Sequence, residues 1–288
     1  MADAPQRVPL AGRQIFGGEL ARLLVATAVA LAFFFPVYFM ISSAFKAEGE
    51  ILATPMHWLP HDFQGLGQLY RAAEIAPIAR YFFNSSLVSA INVVVTLFFG
   101  AMAGYGFAKF DFPARKFLFY FVISTMMIPS QILLVPLFIE IRSFGWANSY
   151  LGLIVPGIMN AFGVFMMRQY CFGIPDEIIE AGRVDGANEW QIFLRLVLPL
   201  LSPALASLAI IIFIWSWGNF LWPLVAVNDD NLTVLAVGLT NYTQPYQRTP
   251  MWGAAMAAST VATLPMMCVF IFFQRYFIRG ITAAAVKE

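Results

Sequence analysis

The sequence predicts an all-α membrane protein with six transmembrane helices, and its composition and the lengths of its apolar runs are the two main reasons. Of the 288 residues, 60% are hydrophobic and 11% are charged, and the mean hydropathy is +0.74. Soluble domains contain roughly half apolar and about a quarter charged residues. The formal net charge is +1 and the sequence shows no basic cluster, so we expect no nucleic-acid partner.

Six apolar runs are candidates for membrane spans, because about 20 helical residues cross a hydrocarbon core of about 30 Å. They cover residues 23–41, 81–108, 117–139, 150–167, 200–227 and 253–273. The first run is longer than the apolar part of a secretion signal, so we expect it to be retained as a span. The chain therefore divides into an N-terminal segment (1–22), a membrane domain (23–277) and a tail (278–288), with a polar loop expected at 46–80.

Lysine and arginine are distributed unevenly between the two sides of these six spans. One side carries twelve and the other carries five, which are Lys46, Arg71, Arg80, Arg142 and Arg248. Cytoplasmic loops of membrane proteins are enriched in these residues. The sequence therefore predicts that both termini and residues 168–198 are cytoplasmic.

The segment from residue 173 to 204 is a long, soluble-looking interruption between the fourth and fifth spans. Pro175 suits a helix start, and the acidic residues that follow it favour the positive end of the helix dipole. Asn188 and Gln191 have the spacing of a capping box, which predicts a second helix from Glu189. Gly186 lies at the turn between them, where we expect a positive φ. The prediction is helix, turn, helix.

Apolar and small residues form a stripe along the first of these helices. The stripe consists of Ile174, Ile178, Ala181 and Gly182, at i, i+4, i+7 and i+8. No soluble part of the chain is large enough to cover it. We therefore expect another protein to dock there.

The same segment resembles the EAA loop of ABC importer permeases, whose pattern is EAA-x3-G-x9-I-x-LP. Here the matching residues are Glu180-Ala181-Gly182, Gly186 and Leu196-Val197-Leu198-Pro199, with Gly182 and Leu196 replacing an alanine and an isoleucine. Further stretches resemble the MalG-type permeases of carbohydrate importers. They are residues 81–90, 103–116, 128–138, 231–239 and 275–288.

This resemblance implies a type I importer permease fold in the bacterial inner membrane and a cytoplasmic coupling helix that docks on a separate ATPase. It implies four kinds of partner: a homologous second permease, two ATP-binding subunits, an extracytoplasmic solute-binding protein and membrane lipid. ATP and Mg²⁺ would then bind to the ATPase, and this chain would bind no cofactor. The docking residues expected from the loop are Ile178, Glu180, Ala181, Gly182, Asp185 and Gly186.

Several other functions have little support in the sequence. No lysine follows a glycine, so the chain has no G-K-[ST] phosphate loop. No Asp, Glu, Lys, Arg or His lies within the six runs as drawn, which argues against the alternative of an ion-driven secondary transporter. No catalytic constellation is recognisable, so we expect no enzyme. His57 and His61 are four residues apart, but Pro60 disfavours the helix that would bring them together, and we expect no metal site.

Polar and aromatic residues inside the spans are candidate contacts for a transported solute. They are Asn92, Asn160, Trp215, Ser216 and Asn219. The alternative is that they hydrogen-bond neighbouring helices. The resemblance implies an oligosaccharide, disaccharide, polyol or glycerol phosphate as cargo. Prolines in five of the six spans suggest broken helices, and the Gly100/Gly104 pair suggests a tight helix contact.

Overall fold

The elements of regular secondary structure in the part of the chain that the structure describes are helices. This computed structural model describes residues 17–243 and 251–285, with side chains for 19–243 and 251–274. Residues 1–16 and 286–288, which belong to the expected terminal segments, lie outside the described residues. The helices are α1 (Gly17–Ser43), α2 (Glu48–Ile51), α3 (Gly67–Ile75), α4 (Ile78–Lys109), α5 (Arg115–Thr125), α6 (Ser130–Ser143), α7 (Tyr150–Ile158), α8 (Ala161–Cys171), α9 (Asp176–Val184), α10 (Glu189–Ile192), α11 (Leu198–Leu200), α12 (Ser202–Trp217), α13 (Leu221–Ala226), α14 (Leu235–Gly238) and α15 (Trp252–Ala285).

Four spans in the described residues are long and apolar enough to cross a membrane by themselves. They are Glu19–Ser43, Ile78–Lys109, Tyr150–Cys171 and Trp252–Gln274. Two bent helix pairs also qualify when each pair is taken as one span: α5 with α6, bent by 98°, and Glu189–Leu200 with α12, bent by 77°. With each bent pair counted as one span, the predicted six-span, all-α fold is confirmed.

The third, fourth and fifth predicted runs are broken helices, as their prolines suggested. The third breaks between Thr125 and Ser130, where Pro129 precedes α6. The fourth breaks at Met159, after which Asn160 caps α8, and the fifth breaks between Trp217 and Leu221. Proline removes a backbone donor and disfavours a helical residue before it. A proline alone does not break a helix in this chain, because α1 and α15 each contain one and stay continuous.

Helix α4 is the central element of the bundle, and it packs against α8 and α12. A Cβ added at Gly100 would lie 3.3 Å from the carbonyl carbon of Gly163, and one at Gly104 would lie 2.7 Å from the backbone nitrogen of Arg168. The absence of side chains at these two positions therefore allows the backbones to approach closely. The tight contact expected from this glycine pair is confirmed, and it lies within the chain.

Asn84 ties the other end of α4 to the segment that precedes α14. Its side-chain amide donates to the carbonyls of Asn231 and Thr233, at 2.9 Å each, and its oxygen accepts from the Tyr150 hydroxyl at 2.7 Å. Asn84 itself is fully buried. The Asn84 amide thus supplies hydrogen bonds to backbone carbonyls that lie outside a helix and so have no helical N–H as a partner.

Helix α1 differs from α4 because most of its side chains point away from the bundle. Phe33 is 79% exposed, and Leu23, Leu24 and Leu31 are exposed as well. The loop that follows α1 also departs from our expectation of a polar segment: Leu52, Trp58, Leu59 and Phe63 are apolar and exposed.

Candidate functional site: the loop between α8 and α12

The segment between α8 and α12 folds as the predicted helix, turn and helix. Helix α9 begins after Pro175, and α10 begins at Glu189 with a complete capping box. The Asn188 side chain accepts from the Gln191 N–H, and the Gln191 side chain accepts from the Asn188 N–H, both at 2.9 Å. The chain then continues through a π-helical turn, Phe193–Val197, into α11. Pro199 cannot donate a backbone hydrogen bond, and a wide turn is one way to absorb that loss.

Gly186 adopts the positive φ that the sequence predicted, with a value of +83°. A Cβ placed there would have no described atom of another residue within 4 Å, apart from its chain neighbours. The requirement for glycine therefore comes from backbone conformation and not from crowding within the chain.

The predicted stripe on α9 does not lie on one face, and this prediction was wrong. Ile174 and Gly182 are buried against the chain itself, whereas Ala181 is exposed and Ile178 is half-buried. A Cβ on Gly182 would lie 2.9 Å from Cδ1 of Leu196 and 3.3 Å from Cγ1 of Ile192. Gly182 thus permits α9 to pack on the second half of its own loop. The predicted stripe started at Ile174, two residues before α9 begins, and its spacing therefore combined residues from both faces of the helix.

The outward face of α9 consists of residues at i, i+3, i+4 and i+7, namely Glu177, Glu180, Ala181 and Val184. Val184 is 88% exposed, and Trp190 on α10 is 57% exposed. Our sequence analysis missed both. The helical spacing of Val184 from Glu177 and Ala181 would have indicated it. Asp185 and Gly186 are exposed at the turn.

Two sets of contacts join this loop to α4. The Lys109 ammonium donates to the carbonyl of Ile174 and to the carboxylate of Asp176, at 2.6 Å each. The Phe193 ring stacks on Tyr105, with 5.9 Å between ring centroids. Lys109 ends α4 and Asp176 begins α9, so each charge stabilises the end of the helix dipole at which it lies.

Charged side chains of both signs surround a recess of about 420 Å³ beside α9. It is lined by Lys109, Asp111, Arg115, Asp176, Glu180 and Arg183, among others. Arg183 donates to the Glu189 carboxylate at 2.7 Å, and this hydrogen bond raises the pKa of the Arg183 guanidinium above its ordinary value. The recess is therefore ionic but largely self-neutralised.

A second cavity, of about 410 Å³, opens where the three broken helices meet α4. Its polar lining comes from Asn92, Ser130, Gln131 and Asn219, and its apolar lining includes Leu134, Pro156 and Trp222. The Asn92 amide donates to the Ser216 hydroxyl at 3.0 Å, while its buried Oδ1 has no hydrogen-bond partner within the described part of the chain. Broken helices are tolerated at membrane depth where they are packed or line a cavity.

The five candidate solute residues have different positions relative to this cavity. Asn92 and Asn219 line it, and Ser216 bonds to Asn92. Asn160 caps α8 by accepting from the Gly163 N–H, and the Trp215 ring packs on Phe162. Neither of these last two residues lines the cavity. Ser130 and Gln131 were missed, although their place directly after Pro129 was a usable signal.

His57 and His61 lie closer together than we expected. Their ring centroids are 4.4 Å apart, because a turn rather than a helix brings them together. Within the described residues, no group of three or more His, Cys, Asp or Glu side chains is arranged to hold a metal ion.

A bundle of apolar and broken spans, with a cavity at the helix breaks, is typical of membrane transport proteins. Comparison with known proteins gives its family. The chain belongs to the inner membrane components of binding-protein-dependent transport systems, a family that matches residues 75–283.

Its relatives include several named transport permeases. The arabinooligosaccharides transport system permease protein of Halalkalibacterium halodurans is 36% identical over 255 residues, which cover 88% of this chain and 91% of that protein. The sn-glycerol-3-phosphate transport system permease protein of Yersinia enterocolitica is 29% identical, over 87% and 91% of the two chains. A chain from a crystal structure of a bacterial ABC transporter involved in alginate import matches with a TM-score of 0.82 at 22% identity, over 94% of this chain and 100% of that one. This last likeness supports the fold.

Proposed function

We propose that this chain is the permease subunit of an ATP-driven importer, in which it forms half of a translocation path and docks on a separate ATPase through α9. The single observation that carries the proposal is the exposed row of Glu177, Glu180, Ala181 and Val184 on a helix whose opposite face is packed into the chain. Because its opposite face is packed, α9 cannot rotate freely about its axis. Its acidic and apolar outward surface therefore stays available to a partner. An apolar edge this exposed is typical of a protein contact.

The energy for transport would come from the partner, because this chain has no phosphate loop. In this proposal the chain is not an enzyme and binds no cofactor, and ATP and Mg²⁺ belong to the two ATPase subunits. A homologous second permease would complete the path, and a solute-binding protein would deliver the cargo. The uneven distribution of lysine and arginine supports an inner-membrane orientation with both termini in the cytoplasm.

The cavity at the helix breaks favours a neutral carbohydrate as cargo. Its described lining offers amide and hydroxyl groups from Asn92, Ser130, Gln131 and Asn219, but no charged side chain. Amides and hydroxyls can both donate to and accept from sugar hydroxyls. A phosphate ester would need a compensating cation in such a place. Among the relatives, the protein named for arabinooligosaccharides is therefore a better guide to the cargo than the one named for sn-glycerol-3-phosphate.

Purification of the tagged full chain from its own membranes tests the proposal. We expect an ATPase and a second permease to co-purify, and we expect the isolated polypeptide to hydrolyse no ATP. Ala181→Glu should release the ATPase, because it puts a further charge into the docking face. Ala73→Glu is the matched control, since Ala73 is equally exposed on α3, far along the chain from the loop.

Uptake measurements in cells are the second test of the proposal. Cells lacking the chain should lose uptake of a labelled arabinooligosaccharide and keep uptake of sn-glycerol-3-phosphate. Uptake should follow cellular ATP when the proton gradient is collapsed. Uptake that stops at once while ATP stays high would contradict the proposal and favour an ion-driven transporter, and hydrolysis by the isolated polypeptide would contradict the assignment of ATP to a partner.

A further inference from the structure

The segment at 51–60, from the last residue of α2 towards the turn before α3, is apolar although it lies outside the six predicted spans. It contains no Asp, Glu, Lys or Arg, and its one titratable side chain is His57. Trp58 is 60% exposed and Leu59 is 68% exposed, and Leu52 and Met56 are also exposed. Four neighbouring exposed apolar side chains are unusual for a loop in water.

The contact between Trp58 and Phe35 shows how deep this segment lies. Their rings meet edge to face, with 5.7 Å between centroids. Phe35 precedes the end of the first apolar run, at Ile41, by six residues, which is about 9 Å along a helix at 1.5 Å per residue. The Trp58 ring therefore lies beside the membrane-crossing part of α1 and not beyond its end.

Two backbone carbonyls of the segment accept hydrogen bonds from side chains of α1 and of the turn after it. The carbonyl of Trp58 accepts from the Tyr38 hydroxyl at 2.8 Å and from the Ser42 hydroxyl at 2.9 Å. The carbonyl of His57 accepts from the Lys46 ammonium at 2.6 Å. These three bonds reduce the number of carbonyls that insertion would leave without a partner, and an unpaired backbone group is costly in lipid.

Lys46 and Glu50 keep the charges of this region away from the exposed apolar side chains. Lys46 is fully buried beneath the segment, with its ammonium 5.2 Å from the centre of the Phe39 ring. Burial lowers the pKa of Lys46, although Glu50 acts in the opposite direction. The Glu50 carboxylate accepts from the backbone N–H groups of His61 and Asp62, just beyond Pro60.

We propose that residues 51–60 form a membrane-dipping anchor, with Leu52, Met56, Trp58 and Leu59 inserted into the leaflet at the Ser43 end of α1. Tryptophan is enriched at the boundary between head groups and acyl chains, where an apolar ring and a polar N–H are both accommodated. Interfacial elements of this kind reach about 5–10 Å below that boundary. The exposed side chains are continuous with the outward-facing surface of α1, and the carbonyls of His57 and Trp58 are already bonded. The absence of charged side chains in residues 51–60 and the packing of Trp58 on the first apolar run favour lipid as the occupant of this surface. The anchor does not depend on the proposed function.

Fluorescence quenching in vesicles tests the anchor directly. In the full chain, Cys171 and Cys268 are replaced by alanine, and a cysteine introduced by Leu59→Cys carries an environment-sensitive dye. The chain is reconstituted, together with the proteins that co-purify with it, in phosphatidylcholine and phosphatidylglycerol. We expect blue-shifted emission, with roughly half or more of it lost to a lipid that carries a spin label near the head of its acyl chain. Aqueous iodide should quench it little. The control dye, attached through Glu74→Cys on an exposed position of α3, should show the reverse.

Two results would overturn the anchor. If iodide quenches the dye at position 59 as strongly as the dye at position 74, the segment lies in water. If neither iodide nor the spin-labelled lipid reaches position 59, the segment is covered by protein, within the chain, from a second copy or from a co-purified partner. A Trp58→Phe variant in the same background should keep the lipid quenching, because an aromatic ring still packs on Phe35. Loss of quenching in that variant would also contradict the proposal.

Discussion

The ammonium of Lys109 lies 2.6 Å from the carboxylate of Asp176, and this ion pair joins the end of α4 to the beginning of α9. Only 8% of the Lys109 side chain is exposed, against 72% for Asp176. The pair is therefore shielded on one side, and it is reinforced by the bond from Lys109 to the carbonyl of Ile174.

Replacing Lys109 by methionine should loosen α9 from α4. The change removes both bonds, and we expect the loop to lose about 1–2 kcal/mol, less than a fully buried pair because Asp176 is open to solvent. Hydrogen exchange of residues 174–186 measures it. The matched control is Arg115→Met, because Arg115 pairs with the almost fully exposed Asp111 and should cost less than about 1 kcal/mol. Equal effects of the two changes would contradict a special role for Lys109.

Gly186→Val should strain the turn between α9 and α10 without affecting membrane insertion. A β-branched residue at positive φ costs on the order of 1–2 kcal/mol, and the space around the position is open in the chain itself. We expect normal amounts of protein in the membrane but reduced ATP-dependent uptake. Gly186→Asn distinguishes backbone strain from a requirement of the partner, because asparagine tolerates a positive φ. If asparagine impairs uptake as much as valine does, the partner and not the backbone requires glycine.

Gly104→Ala and Gly106→Ala should have opposite effects although they lie two residues apart on α4. A Cβ at Gly104 would lie 2.7 Å from the Arg168 backbone nitrogen, whereas one at Gly106 meets nothing within 4 Å in the described residues. We expect Gly104→Ala to cost about 1–3 kcal/mol through overpacking. Gly106→Ala should be neutral or stabilise by up to about 1 kcal/mol. Thermal unfolding in detergent checks both, and similar midpoints would disprove the close contact of α4 with α8.

Asn84→Leu should release the segment before α14. The change leaves the Thr233 carbonyl and the Tyr150 hydroxyl without their Asn84 partner and leaves the Asn231 carbonyl with Arg80 alone, at a cost of about 2–3 kcal/mol. Limited proteolysis near residues 229–233 should become faster. Arg80→Leu is the control, because Arg80 also donates to the Asn231 carbonyl but is exposed, and we expect about 0.5 kcal/mol or less. Unchanged proteolysis in Asn84→Leu would contradict this role.

Cysteine accessibility should establish which side of the membrane each loop faces. Single cysteines at positions 74 and 229 should react with an impermeant reagent added to intact cells, whereas one at position 186 should react only after the membrane is opened. All three positions are exposed in the structure, so burial does not confound the comparison. The reverse pattern would overturn the orientation expected from the charge distribution.

Features with local causes could be predicted from the sequence. The capping box at Asn188 and Gln191 and the positive φ of Gly186 depend on residues within one turn, and both were predicted. The faces of α9 depend on where Ile192 and Leu196 pack, which spacing alone does not reveal. The cavity near Asn92 depends on three helix breaks that meet in space, and the prolines indicated only where breaks were possible. The 51–60 segment was obscured by its charged neighbours, because averaging over the whole loop made it look polar.

The close contact of Gly100 and Gly104 with α8 lies nearer to the Lys109 end of α4 than to the Asn84 end. Measured along the helix at 1.5 Å per residue, Lys109 is about 10 Å from the middle of this contact and Asn84 is about 27 Å from it on the other side. If α4 rocks as a stiff rod about that contact, it is a lever with arms of unequal length. A displacement of 1 Å at the Lys109 end would then move the Asn84 end by about 2.5 Å in the opposite direction. Under that motion, a small shift of the loop at one membrane surface would be enlarged at the other.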